Sequence, residues 1–108
     1  MDKSLALTAL SAMAHETRLD ILRLLVSQGA AGAAAGDIAG KVNASASRLS
    51  FHLAALEQAG LVSGRRDGRF LRYTVNFERL GGVIGYLLND CCMAHPEICA
   101  CAGQKQES

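Results

Sequence analysis

A chain of 108 residues, half of them apolar and 19% charged, has material for one modest hydrophobic core, which excludes a disordered chain and a multidomain assembly. At this size, association with a second copy adds useful stability. The net charge of +1 does not mark the whole chain as polyanion-binding, so any nucleic-acid contact must come from a local concentration of arginine.

Residues 4–14 carry Leu5, Leu7, Leu10 and Met13 among alanines, which predicts a short helix with few charges on any face, suited to packing against another chain or a second helix. In the next helix, Leu19, Leu22, Leu25 and Val26 form the predicted buried stripe, with Glu16, Asp20 and Arg23 outside and Gly29 as the stop. Residues 29–36 read as an alanine-glycine loop, residues 37–42 as a small helix, and Asn43-Ala44 as a turn. Ser45 caps a helix over 45–56, where Leu49, Leu53 and Leu56 fall at i, i+4, i+7 and face a core. The side turned away carries Ser47, Arg48 and Phe51, with His52 on its flank. After Gly60, residues 61–63 and 70–75 alternate like two strands around a tip that contains Asp67-Gly68, a hairpin signal. Residues 77–90 predict a last amphipathic helix with Leu80, Val83, Ile84, Leu87 and Leu88 on one face. Gly81, Gly82 and Gly85 there would permit close helix–helix approach across a dimer axis, at some cost in propensity.

The fold expected is all-α with a small β-hairpin, namely a winged helix-turn-helix of five helices and a two-stranded wing. A polar and aromatic helix face followed by an arginine-rich hairpin points to double-stranded DNA as partner. Arg48 suits a guanine edge, and Ser50 and His52 suit phosphate or base contact, beside Ser47. An exposed Phe51 has little reason to exist without a partner. Arg65, Arg66 and Arg69 form a same-sign cluster for phosphate or minor-groove contact. Arg72 reads as structural, paired across the hairpin, and Leu71 and Tyr73 as core. Residues 44–75 hold Arg48, Arg65, Arg66, Arg69 and Arg72 against Glu57 and Asp67, whereas 76–108 hold Arg79 and Lys105 against Glu78, Asp90, Glu97 and Glu107. The positive field is therefore local to the part expected to meet DNA.

Asp20 and Arg23 interrupt the richest apolar run, so no stretch approaches the roughly 18 residues of a membrane span. The start Met1-Asp2-Lys3-Ser4 lacks the basic and apolar pattern of a secretory leader, so a cytoplasmic location without a membrane partner is expected. Cys91, Cys92, Cys99 and Cys101 cluster late in the chain instead of spreading as disulfide staples would. In a cytosolic protein such clustering points to a soft metal or to thiol redox chemistry. No cysteine follows a strand or opens a βαβ unit, so a thiol enzyme is not expected.

The chain resembles the ArsR/SmtB family of bacterial metal-responsive repressors. The resemblance rests on residues 16–22 (ETRLDIL), 37–39 (DIA), 45–53 (SASRLSFHL), Leu56, 59–62 (AGLV) and 68–73 (GRFLRY), and covers about residues 4–90. It implies a homodimer joined through the first and last helices, binding a palindromic operator and releasing it when an inducer binds. The family's arsenic site on the helix before the DNA-reading helix, here 45–56, uses Cys-x-Cys-Asp; in this chain Ala34, Ala35 and Gly36 precede Asp37. Its zinc site on the last helix needs acids and histidine, and 77–90 offer only Glu78 and Asp90. What remains resembles arsenic-responsive members with a vicinal cysteine pair and a third cysteine soon after, here Cys91, Cys92 and Cys99, with Cys101 as an alternate or spare thiol. Arsenite As(III), or antimonite Sb(III), is the inducer so implied, and residues 1–90 and 91–108 divide into a DNA-binding and dimerisation domain and an inducer-binding tail. Thiolate softness suits such ions. Neighbouring side chains on a regular helix diverge by roughly 100°, so the pair shares an ion only if the helix ends there. His95-Pro96 supplies that break. Four-coordinate zinc or cadmium through four of Cys91, Cys92, His95, Cys99 and Cys101, and a disulfide redox switch, stand as alternatives. His95 reads as an exposed turn residue and His15 as a helix-start residue.

Overall fold

The computed structural model describes residues 1–103; Lys105, Glu107 and the end of the expected 91–108 tail lie outside the described residues. Within it are six α-helices and a three-stranded antiparallel sheet: α1 (Lys3–Met13), α2 (Glu16–Gln28), β1 (Ala33–Ala34), α3 (Ala35–Val42), α4 (Ala46–Gln58), β2 (Val62–Asp67), β3 (Phe70–Val75), α5 (Phe77–Gly85) and α6 (Pro96–Gly103). A short 3-10 turn, Gly29–Ala31, follows α2, and a π-helical stretch, Tyr86–Cys91, continues α5. Among the described residues no helix is long and apolar enough to cross a membrane.

Side-chain caps explain where the helices begin. Asp2 accepts from the Leu5 amide at 2.8 Å, His15 from Thr17 at 3.1 Å through Nδ1, and Asn76 from Arg79 at 3.0 Å. The main core gathers Ile21, Leu25, Ile38, Leu53, Leu56, Leu61 and Val83, all fully buried, between the helices and the sheet. The arc of α2 that faces it is Ile21, Leu22 and Leu25. Leu19 and Val26 are 51% and 43% exposed, which corrects the stripe expected for this helix. They lie about 100° round from the centre of that arc, a position that Arg18 shares with the core residues instead.

The sheet departs from the expected two strands. The alanine stretch supplies an edge strand, Ala33 opposite Tyr73 and Ala34 opposite Arg72, giving the order β1-β3-β2. The hairpin is longer than the sequence pattern indicates: β2 and β3 pair from Val62↔Val75 to Asp67↔Phe70, leaving only Gly68 and Arg69 as the turn. Gly68 takes φ 67°, the conformation that a two-residue hairpin turn with glycine first requires. At the other end of the wing, Gly60 closes α4 with φ 78°, and a Cβ there would lie 2.5 Å from the Arg79 guanidinium, which donates to the Ala59 carbonyl at 3.0 Å.

The last predicted helix is divided. α5 ends at Gly85, and six residues of π-helix carry the chain to Cys91. Of its expected stripe Val83 is buried, Leu80, Leu87 and Leu88 are half-buried, and Ile84 is 53% exposed. A Cβ on Gly82 would sit 3.1 Å from the Met1 methyl group, so this glycine makes room for the chain's own start, while Gly81 faces open space. Pro96, read as a break, is also the first residue of α6. Proline is at home there, because its missing N–H has no intrahelical partner to lose.

Candidate nucleic-acid interface and thiol segment

α3 and α4 form a helix-turn-helix. Asn43 ends α3 in the left-handed conformation (φ 55°, ψ 51°), which asparagine tolerates, and the Ala44 amide donates back to the Ala39 carbonyl at 3.1 Å. Ser45 then caps α4, its hydroxyl accepting from the Arg48 amide at 3.3 Å. With Leu49, Leu53 and Leu56 inside, the outer face presents Ser47, Arg48, Ser50 and Phe51 to solvent; Phe51 is 67% exposed. Four potential contacts of the expected face are thus free for a partner.

His52 is not among them. It is 5% exposed, because one turn from Leu49 and one from Leu56 it falls on the buried arc of α4. The expectation that it meets phosphate or base is therefore corrected. Its Nδ1 accepts from Arg18 Nε at 3.1 Å, and its ring lies 4.6 Å from that of His15. Burial, and then the charges of His15, Arg18 and Arg48, hold its pKa below the ordinary histidine value, and a ring that accepts from Arg18 at Nδ1 carries its single proton on Nε2 when neutral. Arg18 is the residue that sequence reasoning missed. The available signal was its place on the inward arc of α2, beside Ile21, Leu22 and Leu25.

Arg65, Arg66 and Arg69 are exposed. The alternation of strand side chains puts Arg66, opposite Leu71, on the sheet face that carries Tyr73 and Val75. Arg65, opposite Arg72, lies on the other face. The wing therefore offers cations on both sides as well as at its turn. Arg72 is engaged as expected, donating from Nε to Asp67 at 3.3 Å and from a terminal nitrogen to the Ala31 carbonyl at 3.2 Å. Tyr73 is buried at 8%, whereas Leu71 is 38% exposed, a correction to its expected core position: the strand has run past the core by that point.

The cysteines sit on a different kind of scaffold. The Cys92 amide donates to the Leu87 carbonyl at 3.0 Å, the wide π-helical spacing, and Met93 and Ala94 both take positive φ, 54° and 52°. The chain then turns into α6, with His95 accepting from Glu97 through Nδ1 at 3.2 Å and from the Cys99 amide through its carbonyl at 3.0 Å. His15 and His95 are thus both helix-start residues. All four thiols are free; Cys91 and Cys101 are exposed, Cys92 and Cys99 half-exposed. A hydrogen bond to Cys91, then desolvation and the neighbouring Cys91 and Cys99, push the Cys92 thiol up. Among the described residues no group of three or more Cys, His, Asp or Glu side chains closes on a metal-sized point. The chemistry of the thiols fits a soft ion, and convergence on one point would require the segment between Cys92 and Cys99, which includes the Met93-Ala94 turn, to change shape.

A helix-turn-helix domain family matches residues 13–65. The solution structure of the homodimeric winged helix-turn-helix DNA-binding domain Mb0332 from Mycobacterium bovis, a possible ArsR-family transcriptional regulator, superposes with a TM-score of 0.65 at 29% identity, covering 85% of each chain. The HTH-type transcriptional regulator YgaV of Escherichia coli K12 is 36% identical over 87 residues, 81% of this chain and 86% of that protein. The chain belongs to the ArsR/SmtB family of transcriptional regulators. The transcriptional repressor SdpR of Bacillus subtilis 168 is 38% identical over 78 residues, 72% of this chain and 83% of that protein. The helix-turn-helix match ends within β2.

Proposed function

We propose that this chain is a cytoplasmic homodimeric repressor that binds double-stranded operator DNA and releases it when trivalent arsenic, or antimony, engages Cys91, Cys92 and Cys99. In this reading Ser47, Arg48, Ser50 and Phe51 on α4 enter the major groove, and Arg65, Arg66 and Arg69 on the wing hold phosphate or the minor groove. The exposed Leu5 and Leu7 on α1, and Phe77 and Ile84 on α5, are the apolar surface for the second copy. Dimerisation sets the two α4 helices about 34 Å apart, one turn of DNA. Residues 1–90 act as the DNA-binding and dimerisation part, and residues 91–108 as the inducer-binding tail.

The feature that carries the inducer half is the vicinal Cys91–Cys92 pair at the π-helical end of α5, with Cys99 following shortly on α6 and all of these thiols free. Trivalent arsenic is thiophilic and favours three sulfurs in a pyramid, and each thiol loses its proton on binding. Cys101 lies beyond this set and serves as a spare thiol. Drawing Cys99 onto the pair reorganises the π-helical end of α5, next to the proposed dimer surface, and so favours a dimer geometry with lower operator affinity.

The test is fluorescence anisotropy of a labelled duplex that the wild-type protein selects from a random pool. Excess arsenite is expected to weaken binding by about 5–150-fold, the usual range of allosteric coupling. Unchanged affinity would falsify the inducer assignment. Cys91→Ser, Cys92→Ser and Cys99→Ser should each abolish release, and Cys101→Ser should retain it. Release by peroxide alone, or by zinc or cadmium but not arsenite, would instead identify a redox or tetrahedral-metal switch.

A further inference from the structure

Arg18 occupies an unusual place for an arginine. It lies on the inward arc of α2, half-buried, and among the described residues no carboxylate pairs with it. Bringing a guanidinium out of water is costly unless its N–H groups are received. Two other helices receive this one. Nε donates to His52 Nδ1 on α4 at 3.1 Å, and a terminal nitrogen donates to the Ala12 carbonyl in the last turn of α1 at 3.4 Å. The guanidinium carbon also lies 5.6 Å from the centre of the Phe51 ring, within cation–π range. Phe51 and His52 are consecutive residues about 100° apart around the helix, one exposed and one buried, with rings 5.7 Å apart in edge contact. One planar fork therefore touches both sides of a corner of α4. Any roll of α4 about its own axis breaks one of the two contacts.

We propose that Arg18 is a positioning residue for DNA reading: through His52 and Phe51 it fixes the roll of α4 and the pose of the exposed aromatic ring, and through Ala12 it ties both to the end of α1. The inference rests on the reading of α4 as the helix that meets DNA. It follows that lysine is a poor substitute, because a compact ammonium cannot lie flat against Phe51 while also reaching both acceptors. It also follows that movement of α1 is transmitted to the reading face without any change in the wing.

The experiment compares wild type with Arg18→Lys and Arg18→Gln, without arsenite, on the duplex selected by the wild-type protein. Both variants should bind roughly tenfold more weakly, with an unchanged salt slope, and the loss should be non-additive with that of Phe51→Ala. Unchanged affinity alongside a lowered melting temperature would mean a structural role only and overturn the proposal. A loss additive with Phe51→Ala and a salt slope smaller by about one would mean a direct phosphate contact and overturn it equally. A second readout needs no DNA. The His52 ring, followed by nitrogen NMR, should titrate nearer the ordinary histidine value in Arg18→Gln, and an unmoved titration overturns the Arg18–His52 link. If the wild-type protein selects no duplex, the reading of α4 fails instead, while the ring titration still decides whether Arg18 holds His52.

Discussion

In α4 the inward side chains Leu49, Leu53 and Leu56 are at most 2% exposed, the first turn is capped by Ser45, and the helix ends at Gly60 under Arg79. In α6 no residue is buried, and the approach to it runs through a π-helical stretch and two consecutive non-glycine residues at positive φ. Both segments carry the residues on which function is expected to depend. The difference is in what holds them. A base-reading helix must keep its outer side chains at fixed positions, which a packed inner face provides. A thiol segment that must close on an ion has to move, and little apolar burial opposes that movement. The molecule thus puts rigidity at its output and leaves its proposed input weakly held.

The largest expected effect breaks the rigid side. Leu53→Ala removes a fully buried side chain beneath the reading face and should cost about 2–5 kcal/mol in denaturant unfolding. Ile98→Ala, on α6 where the side chain is 43% exposed, should cost less than about 1 kcal/mol by the same measurement. Equal losses at the two sites would remove the contrast between the segments.

A second effect, confined to the rigid side, follows pH. His52 has its folded pKa lowered by burial first, with the charges of His15, which caps α2, of Arg18 on α2 and of Arg48 on its own helix adding to it. Below the unfolded value of about 6.5 the unfolded chain takes up a proton that the folded chain resists. Stability is therefore fully present above 6.5 and falls as pH drops through the lowered folded value. His52→Gln, with an amide oxygen able to accept from Arg18, should flatten this part of the stability profile. Melting curves collected across the window check it; an unchanged slope in the variant would place the acid sensitivity elsewhere.

The same contrast explains what the sequence made legible. Leu49, Leu53 and Leu56 at helical spacing, with Ser45 before them and Gly60 after, state the position and inner face of α4 in local terms, and the structure agrees. The exposure of Ser47, Arg48, Ser50 and Phe51 was legible because it follows from that spacing. His52 was misplaced because a polar identity outweighed its angular position, and its buried environment depends on Arg18, which is 34 residues away. The edge strand at Ala33-Ala34 has no side-chain pattern of its own; it exists because β3 offers an unpaired edge. The turn into α6 was hidden for a related reason. Pro96 breaks one helix and opens the next, and local sequence does not say which role applies.

The smallest effect probes the weakly held side directly. Ala94 sits at φ 52°, where a Cβ crowds the backbone and an L-residue pays about 1–2 kcal/mol that glycine does not. Ala94→Gly removes that strain but adds freedom to the unfolded chain, so a net gain of about 0.5 kcal/mol is expected. Hydrogen exchange should locate it, with slower exchange at the Ala94 and Cys99 amides, which donate to Leu88 and His95, and no change in α4. The sign of the functional effect follows from where the strain is spent. If the turn must open for Cys99 to reach Cys91 and Cys92, relaxing the ligand-free turn makes opening costlier, and arsenite should release DNA at slightly higher concentration. If the strained turn is already the closed form, relaxation should leave the arsenite concentration for release unchanged or lower it, and the proposed hinge at Met93-Ala94 would have to be abandoned.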